Sequence, residues 1–447
     1  MKNFGITIAV IAVIALGFAA WLILIPGPTA FASGSTVALA DYQGANPTGV
    51  PKELAGDDLI KRGEYLAHAA DCVACHTARG GQPYAGGFAF NLPAIGTMYS
   101  TNITPDKETG IGNYTDQQFL DALHKGVRAD GQNLYPGMSY ATYTYMTDAD
   151  ALAIKAYLFT LPAVHAPART NRLSWPFDNR GLMPVWNFFY NANERFRPNP
   201  TQSADWNRGA YLAEAMGHCG ECHTPRNLAF AVNNRRKFAG ALTAGWRAYN
   251  ISSDAKAGLA PWSDNDLATY LSTGHADGHG GAAGPMGEAS DDSLTYLTPN
   301  DIHALVVYLR SVPAQDSDLP RTVNVPAPAS HRLGVTADLD PRGEKIFAGA
   351  CASCHDWTGI SPLSKYATLT GVRAVNDPSA TNVAQTVING VDRTTAQGKI
   401  FMPAFGSAYS DDEIAAVSNY VTARFGAQGA QLTAKNIASL RKQVAQQ

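Results

Sequence analysis

Three Cys-x-x-Cys-His motifs use every cysteine of this 447-residue chain. The sequence reads CVACH at residues 72–76, CGECH at residues 219–223 and CASCH at residues 351–355. Two thiols separated by two residues, with an imidazole directly after them, can form a redox-active dithiol, half of a zinc site or an attachment point for haem. The remainder of the sequence discriminates among these three chemistries.

Haem attachment uses every residue of the motif. Each thiol forms a thioether with one vinyl group of the porphyrin, and the histidine ligates the iron from the same side. We therefore assign three thioether-forming pairs and three proximal iron ligands. The pairs are Cys72 with Cys75, Cys219 with Cys222, and Cys351 with Cys354, and the histidines are His76, His223 and His355.

A second axial ligand is needed on the opposite side of each iron, and a methionine sulfur has this role in cytochrome c. One methionine precedes the last expected helix of each unit, at Met138, Met286 and Met402. The first two follow their histidines at nearly equal distances, and the third is nearer because its unit is shorter. The sequence thus predicts three covalently bound haem c groups, each with a histidine and a methionine on its iron.

Other side chains compete for the distal positions. Met146 opens a helix shortly after the first of these methionines, and His275 and His279 precede the second in a glycine-rich run. The second iron could therefore take two histidines instead. Met98 and Met216 are too close to the motifs in sequence and are expected to pack in the core.

The two alternative chemistries fit less well. Zinc requires four ligands, whereas each motif offers at most three and no second cysteine pair lies beside it. A thioredoxin-like dithiol requires a strand followed by a helix, but the segments around these motifs have helical, glycine-rich patterns. We therefore favour haem at all three motifs.

The segments around the motifs are three copies of one unit. A short amphipathic helix with an Arg-Gly pair precedes each motif, and a helix with an acidic first turn ends each unit, with Thr147, Thr298 and Ser410 as the expected N-caps. We predict a mostly α fold, with an N-terminal transmembrane helix followed by three tandem cytochrome c-type haem domains. The expected segments are residues 1–26 (transmembrane anchor, or signal), 53–162 (domain 1), 163–203 (aromatic-rich connector), 204–313 (domain 2), 314–338 (linker), 339–426 (domain 3) and 427–447 (C-terminal tail).

The N-terminus contains an uncharged apolar run from residue 4 to residue 25. As a helix that rises about 1.5 Å per residue, this run would cross a bilayer core of about 30 Å. It exceeds the apolar core of a secretory signal, so an anchor is favoured over cleavage after Ala32. Because Lys2 is the only nearby positive charge, the haem domains are expected on the periplasmic side of the bacterial inner (cytoplasmic) membrane.

Composition and motif content narrow the function further. The net charge of -3, with 16% charged residues, gives no basic field for nucleic acid. The sequence contains no nucleophile elbow, nucleotide-binding fingerprint or helical pair of metal-binding histidines. With two axial ligands on each iron, no position is open for oxygen chemistry. The chain is expected to transfer electrons and to have no catalytic residues for substrate oxidation.

Several phrases resemble the tri-haem cytochrome c subunits of bacterial membrane-bound alcohol, aldehyde and sugar dehydrogenases. They are the run from residue 96 to 140, GHCGECHTPRN at 217–227, AAGPMGEAS at 282–290 and the aromatic connector at 175–190. The resemblance extends over residues 55 to 426. It implies that a catalytic subunit passes electrons through the haems to ubiquinone in the membrane.

The catalytic partner that the resemblance implies is of two kinds. A molybdopterin aldehyde dehydrogenase with an iron–sulfur subunit is favoured by the N-terminal apolar run, the CGECHTPRN phrase and the short C-terminal tail. A quinoprotein alcohol or sugar dehydrogenase is the alternative. A free-standing cytochrome relay to a terminal oxidase is a further one. Exposed aromatic residues in the connector would indicate a standing partner or a quinone contact, whereas buried ones would simply pack domains 1 and 2 together.

Overall fold

Helices supply most of the regular structure in the computed structural model, which describes residues 10–17, 35–92, 95–317, 340–395, 398–427 and 429–444. The helices in these ranges are α1 (residues 10–17), α2 (Leu59–Ala69), α3 (Cys72–Cys75), α4 (Asp116–Lys125), α5 (Tyr140–Tyr143), α6 (Asp148–Leu158), α7 (Met183–Tyr190), α8 (Ala204–Tyr211), α9 (Cys219–His223), α10 (Asp264–Thr273), α11 (Pro285–Asp292), α12 (Pro299–Ser311), α13 (Pro341–Ile346), α14 (Ala352–His355), α15 (Thr381–Asn389), α16 (Asp411–Phe425) and α17 (Ala434–Val444). Two π-helical turns, Leu212–Met216 and Phe347–Cys351, follow α8 and α13.

Nine short strands accompany the helices in the described ranges. They are β1 (Ala89–Leu92), β2 (Gly96–Tyr99), β3 (Arg172–Leu173), β4 (Ala241–Thr243), β5 (Trp246–Ala248), β6 (His275–Ala276), β7 (Gly280–Gly281), β8 (Val391–Thr395) and β9 (Gly398–Met402). All pair antiparallel, in the order β1-β2-β3 in one sheet and as three separate hairpins. In the last hairpin Val391 lies opposite Met402, and Arg393 lies opposite Ile400. The prediction of a mostly α fold omitted these strands because segments this short leave little alternation in the sequence.

The helix before each motif crosses the last helix of its unit at a glycine. A Cβ atom at Gly63, Gly209 or Gly343 would clash with a backbone oxygen of that last helix. The oxygens belong to Ala153, Ala304 and Ala416. Only glycine permits two helical backbones to approach this closely. The crossing therefore explains why a glycine recurs at this place before every motif.

The last helices begin where the sequence predicted. The side chains of Thr147, Thr298 and Ser410 each accept a hydrogen bond from a backbone N–H in the first turn of α6, α12 and α16. Each cap satisfies a donor that would otherwise lack a partner at the helix end. The predicted caps are confirmed.

The first two units interlock through reciprocal bonds. Tyr65 in α2 donates its hydroxyl hydrogen to Asp301 in α12, and Tyr211 in α8 donates its hydroxyl hydrogen to Asp150 in α6. One continuous apolar core extends through both units, whereas the third has a separate core around Phe347. The first two units therefore form one packed body, and the third packs beside it.

The prediction of an N-terminal transmembrane helix was wrong for the residues that the structure describes. Within those ranges, no helix is both long and apolar enough to cross a bilayer. Helix α1 is described over residues 10–17. The rest of the run from residue 4 to 25 lies outside the described residues, as does most of the predicted linker at 314–338.

Candidate cofactor site

The three motifs lie on the short helices α3, α9 and α14. Asp71 and His218, which directly precede the first two motifs, have φ angles of 52° and 39°, in the left-handed region. This backbone turn separates each motif from the helix before it. In the third unit the π-helical turn Phe347–Cys351 makes the same transition. On one helical turn, two cysteines three residues apart lie on the same face, as attachment to one flat group requires.

Each motif histidine makes the same hydrogen bond. The Nδ1 atoms of His76, His223 and His355 lie 2.7, 2.6 and 2.6 Å from backbone carbonyl oxygens. The oxygens belong to Thr101, Tyr249 and Ala367. A carbonyl only accepts, so Nδ1 carries the hydrogen and Nε2 keeps its lone pair. This orientation is typical of a metal-ligating histidine, and it occurs at all three motifs.

Burial also lowers the pKa of these three imidazoles, although the bond to the carbonyl opposes the effect. They are therefore held in the neutral form, which is the form that binds iron.

The thiols are unsuited to act as a reactive dithiol. Burial raises the pKa of Cys72 and Cys219 to about 12 and that of Cys222 and Cys351 to about 11. A redox-active or zinc-binding cysteine requires the opposite shift, toward the thiolate. Across the described ranges, no group of three or more His, Cys, Asp or Glu side chains is arranged to hold a metal ion. Covalent attachment of an apolar group fits these protonated thiols better.

A cavity of about 1440 Å³ connects the second and third motifs. Its walls are mainly apolar, and it exceeds the volume of about 300 to 1,000 Å³ that is usual for one small ligand. The second motif contributes both of its thiols, His223 and Met286 to the lining, and the third contributes both thiols, His355 and Met402. At these two motifs, the structure brings all the predicted site residues to one cavity.

The first motif is arranged differently. Cys75 and Met98 line the large cavity, whereas Met138 lines a separate cavity of about 360 Å³. The methyl group of Met98 lies against Gly137, where a Cβ atom would collide with it. Met98 therefore lies beside the residue that precedes Met138, whose own cavity is lined by His218, Gly220 and Glu221.

The competing histidines of the second unit have other contacts. His279 stacks on Trp262 with ring centroids 3.7 Å apart, and its Nε2 lies 3.7 Å from Asp266. His275 is buried and packs edge-on against Tyr366, at 4.6 Å between centroids. These contacts favour a methionine over a histidine at the second iron.

Two arginines of the third unit reach into the second site, which no sequence signal indicated. The Arg373 guanidinium lies 4.5 Å from the centre of the Tyr249 ring. The backbone oxygen of Tyr249 is the one that accepts the hydrogen bond from His223. The Nη2 atom of Arg373 donates to the Ala257 oxygen, and its buried Nε has no partner within the described residues. The second arginine, Arg393, binds the segment that contains Met286. Both residues lie more than one unit away in sequence, so motif spacing could not reveal them.

The aromatic connector has two faces. On one, the Trp186 indole N–H donates to the Ala229 oxygen at 3.0 Å, joining α7 to the second unit. On the other, Trp175 and Phe188 are 83% and 81% exposed, beside the exposed Val185. Both sequence interpretations thus hold in part: the connector packs the first two units together and also leaves an apolar surface open.

Two family models match this chain. The model described as cytochrome c matches residues 60–162, and the model described as cytochrome c oxidase, cbb3-type, subunit III matches residues 338–421. The expectation of three tandem cytochrome c domains is corrected accordingly, because residues 163–337 are matched by neither. That middle region shares its core with the first unit and receives two arginines from the third, so it is not packed as an independent domain.

Characterised relatives align with most of the chain. The fructose dehydrogenase cytochrome subunit of Gluconobacter japonicus is 41% identical over 419 residues, which cover 89% of this chain and 85% of that protein. The gluconate 2-dehydrogenase cytochrome c subunit of Pantoea cypripedii is 38% identical, over 87% of this chain and 91% of that protein. The cytochrome c subunit of the quinone-dependent alcohol dehydrogenase of Gluconobacter oxydans (strain 621H) is 36% identical, over 83% and 80%.

Proposed function

Because this chain belongs to the family of cytochrome c subunits of membrane-bound dehydrogenase complexes, we propose that it transfers electrons in such a complex through three covalently bound haem c groups. The observation that carries the proposal is the repeated histidine–carbonyl bond. It recurs at all three motifs, including the middle one, and leaves three Nε2 atoms available for iron. A purely structural histidine would have no reason to repeat this geometry beside two cysteines each time.

We propose the residue roles from the motifs and the methionine positions, supported at the second and third sites by the shared cavity. The six cysteines form the thioethers, His76, His223 and His355 are the proximal ligands, and Met138, Met286 and Met402 are the distal ligands. Haem c would supply a one-electron carrier. A methionine ligand raises the reduction potential of that haem. The chain supplies fixed imidazole orientations, buried thiols and an apolar wall that excludes water. We also propose that the Nε of Arg373 binds a propionate carboxylate at the second site.

The arrangement of the sites supports electron transfer from one to the next. Thiols of all three motifs line the same large cavity, represented by Cys75 from the first, Cys222 from the second and Cys354 from the third. Helix α11, which contains Met286, contacts both α3 of the first motif and β8 of the third unit. Groups bound at these motifs would therefore border one common cavity.

Substrate oxidation belongs to a separate catalytic subunit in this proposal, and ubiquinone is the proposed acceptor. The exposed apolar side chains of Trp175, Val185 and Phe188 are suited to contact with a membrane-side quinone or a partner, because aromatic residues concentrate at such contacts. We place the protein at the periplasmic face of the bacterial cytoplasmic membrane. These exposed side chains also argue against a free-standing relay, because a relay that docks only transiently would not need an apolar contact surface.

Two kinds of catalytic partner remain as proposals. The names of the aligned relatives support an alcohol, sugar or sugar-acid dehydrogenase. The CGECHTPRN phrase and the short C-terminal tail support a molybdopterin aldehyde dehydrogenase with an iron–sulfur subunit. The third argument for the aldehyde type, a retained transmembrane helix, is not supported within the described residues.

The test is co-purification. The chain would be expressed with its neighbouring genes, extracted from membranes and isolated, and the bound subunits identified by mass spectrometry. Adding candidate alcohols, sugars and aldehydes and recording haem reduction would identify the substrate class. Isolation of the cytochrome without any dehydrogenase subunit, and no reduction by any substrate, would contradict the proposal.

A further inference from the structure

Arg393 is a buried residue of the third unit. Within the described residues, all hydrogen bonds of its side chain go to the second unit. Its Nε and Nη2 donate to the two carboxylate oxygens of Asp291, at 2.9 and 2.7 Å. Nη2 also donates to the Ser290 hydroxyl at 3.1 Å, and Nη1 donates to the Ala282 oxygen at 3.0 Å. The residue is 6% exposed. A bidentate, buried arginine of this kind fixes geometry as well as charge.

These bonds enclose the segment that contains Met286. Ala282 lies just before α11, and Ser290 and Asp291 lie near its end, so the guanidinium holds the helix from both sides of Met286. The Arg393 stem also lies against Gly287, since a Cβ atom there would be 3.3 Å from Arg393 Cδ. The position of Met286 therefore depends on a side chain from another unit.

The same hairpin contains the third distal methionine. Arg393 lies in β8, and Met402 is the last residue of β9, opposite Val391. Side chains in the hairpin thus contact two distal sites at once. Displacement of the hairpin would be transmitted to α11 through three hydrogen bonds, two to Asp291 and one to Ser290, rather than through loose surface contact.

We propose that Arg393 is a positioning residue through which the third unit sets the methionine ligation of the second haem site. The proposal rests on the proposed function, specifically on Met286 as the distal ligand. Lysine in place of Arg393 presents three donors from a single nitrogen and cannot reach all these acceptors. Helix α11 would then lose its outer support, and the Met286 sulfur would move relative to the iron.

The test compares full-length holoprotein variants. Arg393→Lys is the main variant, and Asp291→Asn removes the carboxylate with little change of volume in case the first folds poorly. Asp392→Asn is the matched control, because Asp392 lies on the same hairpin and is 59% exposed. Met286→Leu gives the reference signal for loss of the second methionine. The readouts are the far-red absorption of ferric methionine-ligated haem and the individual midpoint potentials.

We expect Met286→Leu to remove about one third of the far-red absorption, since one of three methionine-ligated haems is changed. Arg393→Lys and Asp291→Asn should lower the same absorption and shift the same potential, while Asp392→Asn changes neither. If Met286→Leu has its expected effect but both Arg393→Lys and Asp291→Asn leave absorption and potentials unchanged, the positioning role is overturned. If Met286→Leu itself has no effect, the distal assignment fails and the proposal fails with it.

Discussion

The Tyr65 hydroxyl donates a 2.5 Å hydrogen bond to Asp301, and this bond joins the first helix of one unit to the last helix of the next. Tyr211 makes the reciprocal bond to Asp150. The two carboxylates differ in their remaining partners. Asp301 is also paired with Arg208 at 2.6 Å, whereas Asp150 accepts its second bond from a backbone N–H. Both tyrosines therefore bind a carboxylate in the same way, but only one of the two carboxylates also has an arginine partner.

This asymmetry gives unequal costs for two matched variants. Tyr211→Phe should lower the free energy of unfolding by about 1 to 3 kcal/mol, because the buried Asp150 carboxylate loses its hydroxyl donor. Tyr65→Phe should cost less, since Asp301 keeps its guanidinium partner. Urea unfolding would measure both, with the half-exposed Tyr296→Phe as a control expected within about 0.5 kcal/mol of the parent. Equal losses for the two buried variants would contradict this interpretation.

The helix crossings provide a second prediction. Gly209→Ala should lower the free energy of unfolding by about 1 to 3 kcal/mol or more, because the new methyl group meets the backbone oxygen of Ala304. Gly349→Ala is the matched control. Nothing lies within 4 Å of a Cβ atom at Gly349, so this change should be neutral or slightly stabilising. Thermal unfolding of both variants would decide, and comparable behaviour would show that the crossing is looser than described.

The repeated features were the most predictable part of this fold. The Arg-Gly pair, the caps at Thr147, Thr298 and Ser410, and the histidine–carbonyl bonds all follow from local sequence, because each depends on residues within one unit. The short strands carried too few residues to show a pattern. The N-terminal apolar run met the length rule for a membrane helix, but no helix within the described residues is long and apolar enough to cross a bilayer.

What sequence could not reveal lies between the units. Arg373 and Arg393 contact the second site from the third unit, and their partners are more than 100 residues away along the chain. No spacing rule connects such positions, because the contacts arise only once the cores have packed. The shared core of the first two units was missed for the same reason, since their sequences look like separate repeats.

The first distal ligand can be tested by comparing neighbouring methionines. Met138→Leu should remove methionine ligation from one haem and lower its midpoint potential, because a methionine ligand raises that potential. Met98→Leu conserves volume and should leave all potentials unchanged, although Met98 lines the large cavity. Spectroelectrochemical titration would separate the two variants. The opposite result would transfer the ligand role to Met98.

A buried histidine away from the motifs gives a prediction of pH dependence. Burial, assisted by Arg195, lowers the pKa of His124 to about 4, while Asp148 opposes the shift. Between about pH 6.5 and about pH 4, the unfolded chain therefore binds a proton here that the folded chain does not. The contribution of His124 to the free energy of unfolding is therefore full above its pKa in the unfolded chain, and it is lost as the pH falls through that window.

The parent should accordingly lose more stability than His124→Gln when the pH falls from about 7 to about 5. Urea midpoints at both pH values would measure the difference. His303→Gln is the control, because His303 is 65% exposed and its replacement removes a surface imidazole instead of a buried one. A parent and a His124→Gln variant with parallel pH profiles would refute the assignment.

The covalent haem count tests the central claim most directly, because the middle region is matched by neither family model. Intact mass spectrometry under denaturing conditions would be applied to the parent and to a Cys219→Ala/Cys222→Ala variant. We expect the parent mass to include three covalently bound haems and the variant mass to include two. A parent that carries only two haems, with a mass loss in the variant equal to the sulfur atoms alone, would contradict the assignment of haem to the second motif.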